Sequence, residues 1–284
     1  GYPGGYREGL AAIKASELTR DALFDGLRNR RTYAVSGDRI ELDFYLNNQM
    51  MGQELPFTDE RELKVKVQGW DEIDRVEVLK NGRVIHRDFP VDKSNGTHPW
   101  DKPVVLRFEY GWGPWPALCW GGTADWNFTV DVDGGEIQQI QTCFTTGPLD
   151  EFRRDRILEQ TPQQLKVQSF TALKQQVDDW SQKAIVMRIQ GNADTRISVS
   201  CQQPSECQLT QKFSDLAVSN EMLFTRPFPW ESAMLHRLVF HNQWNTEFTF
   251  IDQSDGNQDD WYYVRVIQSN GEMAWSSPIW VNQK

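Results

Sequence analysis

Histidines are the side chains that most often hold a hydrolytic metal ion, and this chain contains only four of them. His86, His98, His236 and His241 are too scattered for the clusters of three or four ligands that such sites use. His236 and His241 lie close in sequence, but their odd separation places them on opposite faces of a strand. The sequence therefore predicts no complete catalytic metal site, and no bound metal, within this chain.

An acidic stretch near the C-terminus resembles part of a calcium-binding loop. Asp255, Asn257 and Asp259 place hard oxygen donors at alternate positions, as the first ligands of such a loop do. The sixth position is Asp260 rather than Gly, and the twelfth is Val266 rather than Glu. A solvated loop before a hairpin is therefore the favoured interpretation, with calcium binding as the alternative.

The four cysteines match no zinc pattern, because no C-x2-C pair is present. Cys201 and Cys207 bracket a Pro-containing turn, QQPSE, that can bring two strand ends together. Cys119 and Cys143 each lie beside a predicted strand and are a second candidate pair. Disulfides form in oxidising compartments, so the favoured setting is periplasmic or secreted. Four free thiols in a cytosolic protein are the alternative.

A segment rich in tryptophan, GWGPWPALCWGGTADWNF, offers flat aromatic rings among Gly and Pro residues. Sugars and other flat rings stack on such surfaces, which makes Trp112, Trp115 and Trp120 candidates for a ligand platform. The chain has 12 Trp residues, so several of them must pack in a core. Core packing and a platform for a carbohydrate or small molecule are therefore both open. No G-x-S-x-G nucleophile motif and no phosphate-binding Gly-rich loop are present.

The charge and hydropathy of the chain limit its partners. A formal net charge of -10 disfavours nucleic acid and anionic membrane surfaces, which would repel it. No run approaches the ~20 apolar residues that a membrane-spanning helix needs. We therefore expect neither nucleic-acid binding nor membrane insertion by this chain.

The pattern of apolar residues predicts one early helix followed by many strands. Thr19 is a predicted N-cap of a helix that ends in a basic run, and residues 32–35 form a predicted strand. From Ile40 onward apolar residues alternate, and hairpins are predicted at Asn81-Gly82, at residues 133–135 and at residues 270–271. Residues 151–168 form either a short helix or a solvated connection. These features predict a mostly β protein with an antiparallel β-sandwich-type domain.

The N-terminal block resembles a segment of bacterial metallohydrolases of the PHP superfamily, in the branch of carbaryl-hydrolase-like proteins. The matching positions are Gly9, Leu10, Ala12, Glu17, Thr19, Arg20, Ala22, Leu23, Arg30, Arg31, Tyr33, Ala34, Ser36, Gly37, Asp38, Arg39 and Ile40. The hairpin DRVEVLKNGRVI and the ending DDWYYVRVIQSNGEMAWSSPIWV are also similar to strands of that branch. The residues between about Pro99 and Thr249 are similar only in a general way.

The resemblance implies a domain division and a missing active site. In that family the metal ligands lie on an N-terminal β/α barrel, and a segment like Tyr2–Tyr6 follows the last ligand motif. The chain is thus expected to begin just after the final ligand. Residues 1–37 would be the last helix and strand of the barrel, and residues 38–284 the β-sandwich domain. The divalent metal is expected in the missing barrel half, which would accompany this chain in the same polypeptide or as a separate chain.

Three functions follow as hypotheses. The first is a non-catalytic C-terminal domain of a divalent-metal-dependent PHP-type hydrolase, inactive alone, that shapes or covers the active-site entrance. The candidate residues at that entrance are Tyr6, Arg7, Glu17 and Arg20, with helix capping and anchoring as the alternative role of Glu17 and Arg20. The second is a carbohydrate-binding module that uses the Trp-rich segment. The third is a structural subunit of a cell-envelope assembly.

Overall fold

The structure, a computed structural model, describes residues 5–112, 123–146, 155–172, 182–227, 230–256 and 259–282. The chain forms two compact units. The central unit contains residues 98–241 together with the first residues up to Glu8, and the flanking unit contains residues 9–97 and 242–284. Each unit has its own hydrophobic core.

The secondary structure is mostly β. The first part of the chain forms β1 (Leu10–Ile13), α1 (Arg20–Arg28), β2 (Thr32–Val35), β3 (Glu41–Leu46), β4 (Gln49–Met50), β5 (Glu54–Pro56), β6 (Glu60–Gln68), β7 (Ile73–Lys80), β8 (Arg83–Asp88) and α2 (Pro90–Ser94). The middle part forms β9 (Val104–Trp112), β10 (Thr123–Asp133), β11 (Glu136–Cys143), β12 (Arg156–Gln160), β13 (Gln164–Ala172), β14 (Lys183–Gln190), β15 (Arg196–Gln203), β16 (Cys207–Lys212), α3 (Phe213–Leu216), β17 (Glu221–Phe224) and β18 (Ser232–Leu235). The last part forms α4 (His241–Trp244), β19 (Asn245–Gln253), β20 (Asp259–Gln268), β21 (Met273–Ser276) and β22 (Ile279–Asn282).

The central unit is an antiparallel β-sandwich of two five-stranded sheets. The first sheet has the order β12-β13-β10-β15-β16, and the second has the order β11-β14-β9-β18-β17. Alternate residues of each strand face inward, since successive side chains of a strand point to opposite faces. Phe108 and Tyr110 of the second sheet thus meet Phe128 of the first, with ring centroids 5.1 Å apart in both pairs. The predicted sandwich-type fold is confirmed.

The flanking unit pairs an eight-stranded sheet with a four-stranded one over a shared core. The larger sheet follows the path β1-β2-β21-β20-β22-β5, and β7 joins β20 and β8; the smaller has the order β19-β6-β3-β4. All pairs are antiparallel except β22 with β5, which is parallel. Buried side chains of both sheets, such as Phe44, Val65 and Val264, belong to one apolar cluster.

Several local predictions are confirmed. Asn81 and Gly82 have φ values of 52° and 78° between β7 and β8, which is the left-handed geometry that a type I′ turn needs. Residues 270–271 connect the antiparallel strands β20 and β21. Thr19 caps α1 by accepting a hydrogen bond from the Ala22 amide at 3.3 Å. The strand predicted at residues 32–35 is β2.

Two other local predictions differ from the structure. The turn at residues 133–135 does not close a hairpin, because β10 and β11 belong to different sheets of the sandwich. Residues 156–172 form the antiparallel pair β12 and β13, where a short helix or a solvated connection was expected. Thr161 stabilises the turn between them by accepting a hydrogen bond from the Gln164 amide at 2.9 Å.

The two compact units do not follow the boundary predicted after residue 37. β1 and β2 are antiparallel to each other, and β2 pairs with β21, so residues 9–37 belong to the same unit as residues 38–97. The apolar side of α1 is only partly covered, with Phe24 and Leu27 both 47% exposed. The derivation of residues 1–37 from a barrel stays a prediction of the resemblance.

Because the phenol of Tyr33 in β2 is buried, we expect the flanking unit to lose stability at alkaline pH. Burial raises its pKa to about 12 from 10.0, with smaller contributions from Glu41 and Asp43. Below pH 10 the Tyr33 phenol is neutral in both the folded and the unfolded chain, so its ionisation does not affect the free energy of unfolding. Between pH 10 and 12 the phenol ionises in the unfolded chain but stays neutral in the folded chain, which favours unfolding. We expect this to cost up to about 2.7 kcal/mol across that interval. Guanidinium unfolding of the wild type and Tyr33→Phe at pH 9 and 11.5 measures it, and equal losses in both proteins would contradict the prediction.

Candidate functional site

A small pocket in the central unit lies over three strands of the second sheet, on the face opposite the core. Cys143, Ala184 and Glu109 stand in one row across β11, β14 and β9. The methyl group of Ala184 is much shorter than its neighbours, so the row has a gap at its middle. In the next row Arg107 of β9 lies opposite Val186 of β14. The pocket forms over this gap.

The first described residues of the chain form one wall of this pocket. The Tyr6 amide donates a hydrogen bond to the Phe144 carbonyl at 2.8 Å, which holds the segment beside the end of β11. The Arg7 guanidinium lies 5.6 Å from the centroid of the Tyr6 ring. We name this site the arginine pocket; it is lined by Tyr6, Arg7, Arg107, Glu109, Cys143, Thr145, Gln182, Lys183 and Ala184.

The arginine pocket has more positive than negative charge. Arg7 and Arg107 supply two guanidinium groups and Glu109 supplies a carboxylate, whereas the ammonium of Lys183 is paired with the buried carboxylate of Asp155. Glu109 Oε2 lies 3.1 Å from His236 Nε2, and Arg107 Nη1 donates to Cys143 Sγ at 3.7 Å. Guanidinium groups bind carboxylates and phosphates with charge-assisted hydrogen bonds. The lining is therefore suited to an anionic group.

The size of the arginine pocket limits what it can hold. Its volume is about 50 Å³, whereas pockets for whole drug-sized ligands are about 300 to 1,000 Å³. It has room for one small group of a larger molecule. The arrangement can position such a group, and the rest of the ligand would extend beyond it.

Lys183 connects the arginine pocket to a buried polar network within the sandwich. Its Nζ lies 2.9 Å from both carboxylate oxygens of Asp155, and the two side chains are 1% and 0% exposed. Ser169 donates to Asp155 at 2.6 Å and accepts from the Tyr110 hydroxyl at 2.8 Å. Burial raises the pKa of Tyr110 well above its ordinary value, with Asp155 adding to the effect. Tyr110 therefore stays a neutral hydrogen-bond donor in this network.

The four residues predicted at a substrate entrance fall into two groups. Tyr6 and Arg7 line the arginine pocket of the central unit. Glu17 and Arg20 lie at the start of α1 in the flanking unit, where Glu17 accepts a hydrogen bond from Thr19 at 3.2 Å and Arg20 lies 5.6 Å from the Phe24 ring. The contacts of the second pair are those of the alternative role, capping and anchoring the helix.

The predicted tryptophan platform falls largely outside the described residues. Trp115 and Trp120 lie outside them, and Trp112 is described only as the last backbone position of β9. Trp126, from the same stretch, is fully buried and donates its indole N–H to Thr171 at 2.8 Å. Trp126 is therefore a core residue.

The predicted cysteine pairs are reduced where they are described. Cys201 and Cys207 stand directly opposite each other in β15 and β16, and both are free thiols. Burial, and next the nearby Cys207, raise the pKa of the Cys201 thiol. Cys143 lines the arginine pocket, and Cys119 lies outside the described residues.

The described ranges hold neither a candidate metal-binding group nor a candidate membrane-spanning helix. Those ranges contain no group of three or more His, Cys, Asp or Glu side chains placed to hold a metal ion. No helix in the same ranges has the length and apolar composition needed to cross a bilayer.

The acidic residues near the calcium-like loop are paired with a lysine, since Lys80 Nζ lies 3.1 Å from Asp252 and 3.8 Å from Asp255.

Sequence reasoning did not identify most of the arginine pocket. Arg107, Glu109, Thr145 and Lys183 carry no recognisable motif. The signal that was available is the alternation in β9, where Arg107 and Glu109 interrupt an otherwise apolar strand on one face. Their meeting with Tyr6 and Arg7 depends on contacts far apart in sequence.

Comparisons with known proteins identify relatives without naming an activity. Residues 6–66 match a family model described as a protein of unknown function, DUF3604. An uncharacterized protein of Chlamydia pneumoniae is 36% identical over 107 residues, which are 36% of this chain and 17% of that protein. An uncharacterized protein of Chlamydia muridarum is 30% identical over 102 residues, which are 34% of this chain and 16% of that protein. The chain thus spans about one sixth of the length of these curated relatives.

A comparison with solved structures matches the major pilin subunit of Bacillus cereus. The alignment covers 98% of this chain and 74% of the pilin, with 7% sequence identity and a TM-score of 0.14.

Proposed function

We propose that this chain is a non-catalytic β-rich part of a divalent-metal-dependent PHP-type hydrolase, in which the arginine pocket receives an anionic group of the substrate. The observation that carries the proposal is the position of Tyr6 and Arg7. The resemblance implies that these residues follow the last metal ligand, and they line a pocket that contains the guanidinium groups of Arg7 and Arg107. The metal and the bond-breaking step belong to the barrel half, so the role of this chain is to bind and orient.

Two further observations support a longer parent protein. The relatives are about six times as long as the segment that this chain matches. The exposed apolar side chains of α1, Phe24 and Leu27, are suited to an apolar partner surface such as the missing barrel half. The family match over residues 6–66 includes both these residues and the first wall of the arginine pocket.

The proposal includes a periplasmic or secreted location with a disulfide between Cys201 and Cys207. Directly opposite residues on antiparallel strands have Cα separations within the range that a disulfide needs. The two thiols are the described pair in that position. In an oxidising compartment they would lose two hydrogens to a disulfide oxidant and link β15 to β16.

The proposed function is tested on the complete product of the gene and on the 284-residue chain. We expect Mn²⁺-dependent hydrolysis of p-nitrophenyl phosphate or p-nitrophenyl acetate by the complete product and none by the chain alone. Arg7→Ala in the complete product should raise KM for the anionic substrate about tenfold with kcat unchanged, because a charge-assisted hydrogen bond is worth about 1.5 to 3 kcal/mol.

The matched control is Arg196→Ala, which removes an exposed arginine of the same unit outside the pocket. We expect its KM to equal that of the wild type. A complete product without metal-dependent hydrolysis would contradict the hydrolase assignment. Identical kinetics of Arg7→Ala and Arg196→Ala would contradict the role of the arginine pocket.

A further inference from the structure

A row of polar side chains crosses the outer face of the first sheet of the central unit. Arg156 of β12 stands opposite Gln168 of β13, which stands opposite Asn127 of β10, which in turn stands opposite Gln203 of β15. These residues face outward because their neighbours in the strands, such as Trp126, face the core. The row spans three strand spacings, roughly 14 Å. A ligand of extended shape can follow it.

A pocket of about 420 Å³ lies over this row. Its lining contains Arg156, Gln168 and Gln203 of the row, with Trp126 and Ser169. It also contains Asp125 and Phe170, which are paired with each other in the adjacent row of β10 and β13. The volume lies within the usual range for ligand sites, about 300 to 1,000 Å³. This pocket shares no residue with the arginine pocket.

The polar groups of this pocket are available to a ligand. Asp125, Arg156, Gln168 and Gln203 are all exposed. In the described ranges, none of their side chains is engaged in a hydrogen bond or ion pair with the protein. Elsewhere on the same sheet outward polar side chains bind each other, as Ser198 and Thr210 do at 2.9 Å. Within the described part of the chain, the side-chain hydrogen-bond donors and acceptors of these four residues therefore have no protein partner.

The chemistry of the lining selects a neutral ligand with many hydroxyl groups. One carboxylate and one guanidinium balance in charge, and the two amides each offer a donor and an acceptor. Planar groups of this kind bind neighbouring hydroxyls of a sugar ring. Phe170 forms an apolar wall, and its ring is held by the Lys183 ammonium 3.8 Å from its centroid. An anion would meet Asp125, and a purely apolar ligand would leave the four polar groups without partners.

We propose that this pocket is a binding site for a neutral oligosaccharide, read by Arg156, Gln168, Gln203 and Asp125 along the polar row. The lining contains Asp125 and Trp126 of the Trp-rich segment but none of the predicted platform residues Trp112, Trp115 and Trp120, and the site does not depend on the proposed hydrolase function. It gives the central unit a binding role of its own, in which the ligand lies across the strands of the first sheet.

Isothermal titration of the purified chain with cellotriose, maltotriose, xylotriose and chitotriose tests the site. We expect at least one of the four to bind with a Kd of about 1 mM or tighter. The double variant Gln168→Ala/Gln203→Ala should weaken that binding at least tenfold. Both side chains are exposed and make no side-chain hydrogen bond to other described residues, so the variant is expected to fold as the wild type does.

The matched control is Gln208→Ala on β16, an exposed glutamine of the same sheet that is not part of the lining. Its affinity should equal that of the wild type. Absence of binding for all four trisaccharides would overturn the proposal, as would equal affinities of the double variant and the control. Binding of trigalacturonic acid in place of the neutral sugars would also overturn it. Because no hydrolysis is measured, failure here is distinguishable from failure of the proposed enzyme role.

Discussion

Asp155→Ala is expected to destabilise the central unit by about 3 to 5 kcal/mol, the cost of leaving a buried charge without its partner. The Lys183 ammonium is 1% exposed, and Asp155 is the carboxylate with both oxygens 2.9 Å from it. Asp155 also accepts from Ser169 at 2.6 Å and from the Thr146 hydroxyl at 2.8 Å. The Thr146 amide donates to it as well, at 3.3 Å, so removing one carboxylate leaves four donors without their acceptor.

The position of this pair explains why the effect should reach the whole unit. Asp155 precedes β12 and Ser169 lies in β13, both of the first sheet, whereas Lys183 begins β14 of the second. The ion pair therefore connects the two layers of the sandwich at one end. Guanidinium unfolding monitored by far-ultraviolet circular dichroism measures the loss, with the transition of the flanking unit as an internal reference.

Two further variants test whether Asp155→Ala destabilises the unit through the unpaired charge of Lys183 or through lost packing. Asp155→Leu combined with Lys183→Met should recover most of the stability, because replacing a buried pair by apolar residues is often neutral or stabilising. Glu159→Ala breaks the exposed pair with Lys166, whose Nζ lies 2.6 Å away, and should cost less than about 1 kcal/mol. An Asp155→Ala protein as stable as Glu159→Ala would show that Lys183 finds another partner.

The local part of this fold follows from the sequence because its causes are local. Asn81-Gly82 forms the expected turn since both residues tolerate positive φ, and Thr19 caps α1 with its own side chain. The turn at Gly134 has equally clear chemistry, with φ +73°. This turn nevertheless connects two different sheets. The residues of a turn reverse the direction of the chain, but they do not determine with which strand the next strand pairs.

The candidate sites were much less predictable, because they depend on which strands pair with each other. The arginine pocket requires β14 to lie between β9 and β11, so that the short side chain of Ala184 separates Glu109 from Cys143. The polar row requires four strands from distant parts of the chain to lie side by side in one register. A sequence shows which strand faces are polar, but the neighbours of each strand follow from pairings far apart in the chain.

Both units place a charged network where a purely apolar core would be expected. In the central unit the network contains Lys183, which is followed in β14 by Ala184 of the arginine pocket, so fixing this end of β14 also fixes the shape of the candidate site. In the flanking unit the network of Arg61, Asp260 and Lys80 joins β6, β20 and β7 and shares no residue with the arginine pocket or the pocket over the polar row. The two networks therefore predict different consequences: loss of the first should change the binding of an anion, and loss of the second should change stability alone.

Arg61→Met is expected to destabilise the flanking unit by about 3 kcal/mol, at the lower end of the cost of breaking a buried ion pair. Arg61 of β6 and Asp260 of β20 form an ion pair with both side chains 0% exposed. Arg61 also donates to the Thr58 carbonyl at 3.0 Å and to the Tyr262 hydroxyl at 2.5 Å. Lys80 Nζ, 3.6 Å from Asp260, compensates part of the lost charge, which places this effect below that of Asp155→Ala.

The accompanying variants identify the carboxylate as the source of the effect. Adding Asp260→Asn to Arg61→Met should restore about half of the lost stability, since the amide is neutral and its oxygen can still accept from the Asn81 side chain, which donates to Asp260 at 2.6 Å. Lys64→Met, on the same strand, breaks an exposed pair with Glu62 at 2.7 Å and should cost less than about 1 kcal/mol. Guanidinium unfolding of the flanking transition measures all three proteins. An Arg61→Met protein as stable as Lys64→Met would contradict the prediction. It would show that Lys80 alone compensates the buried charge of Asp260 and that the Arg61 guanidinium does not stabilise the core.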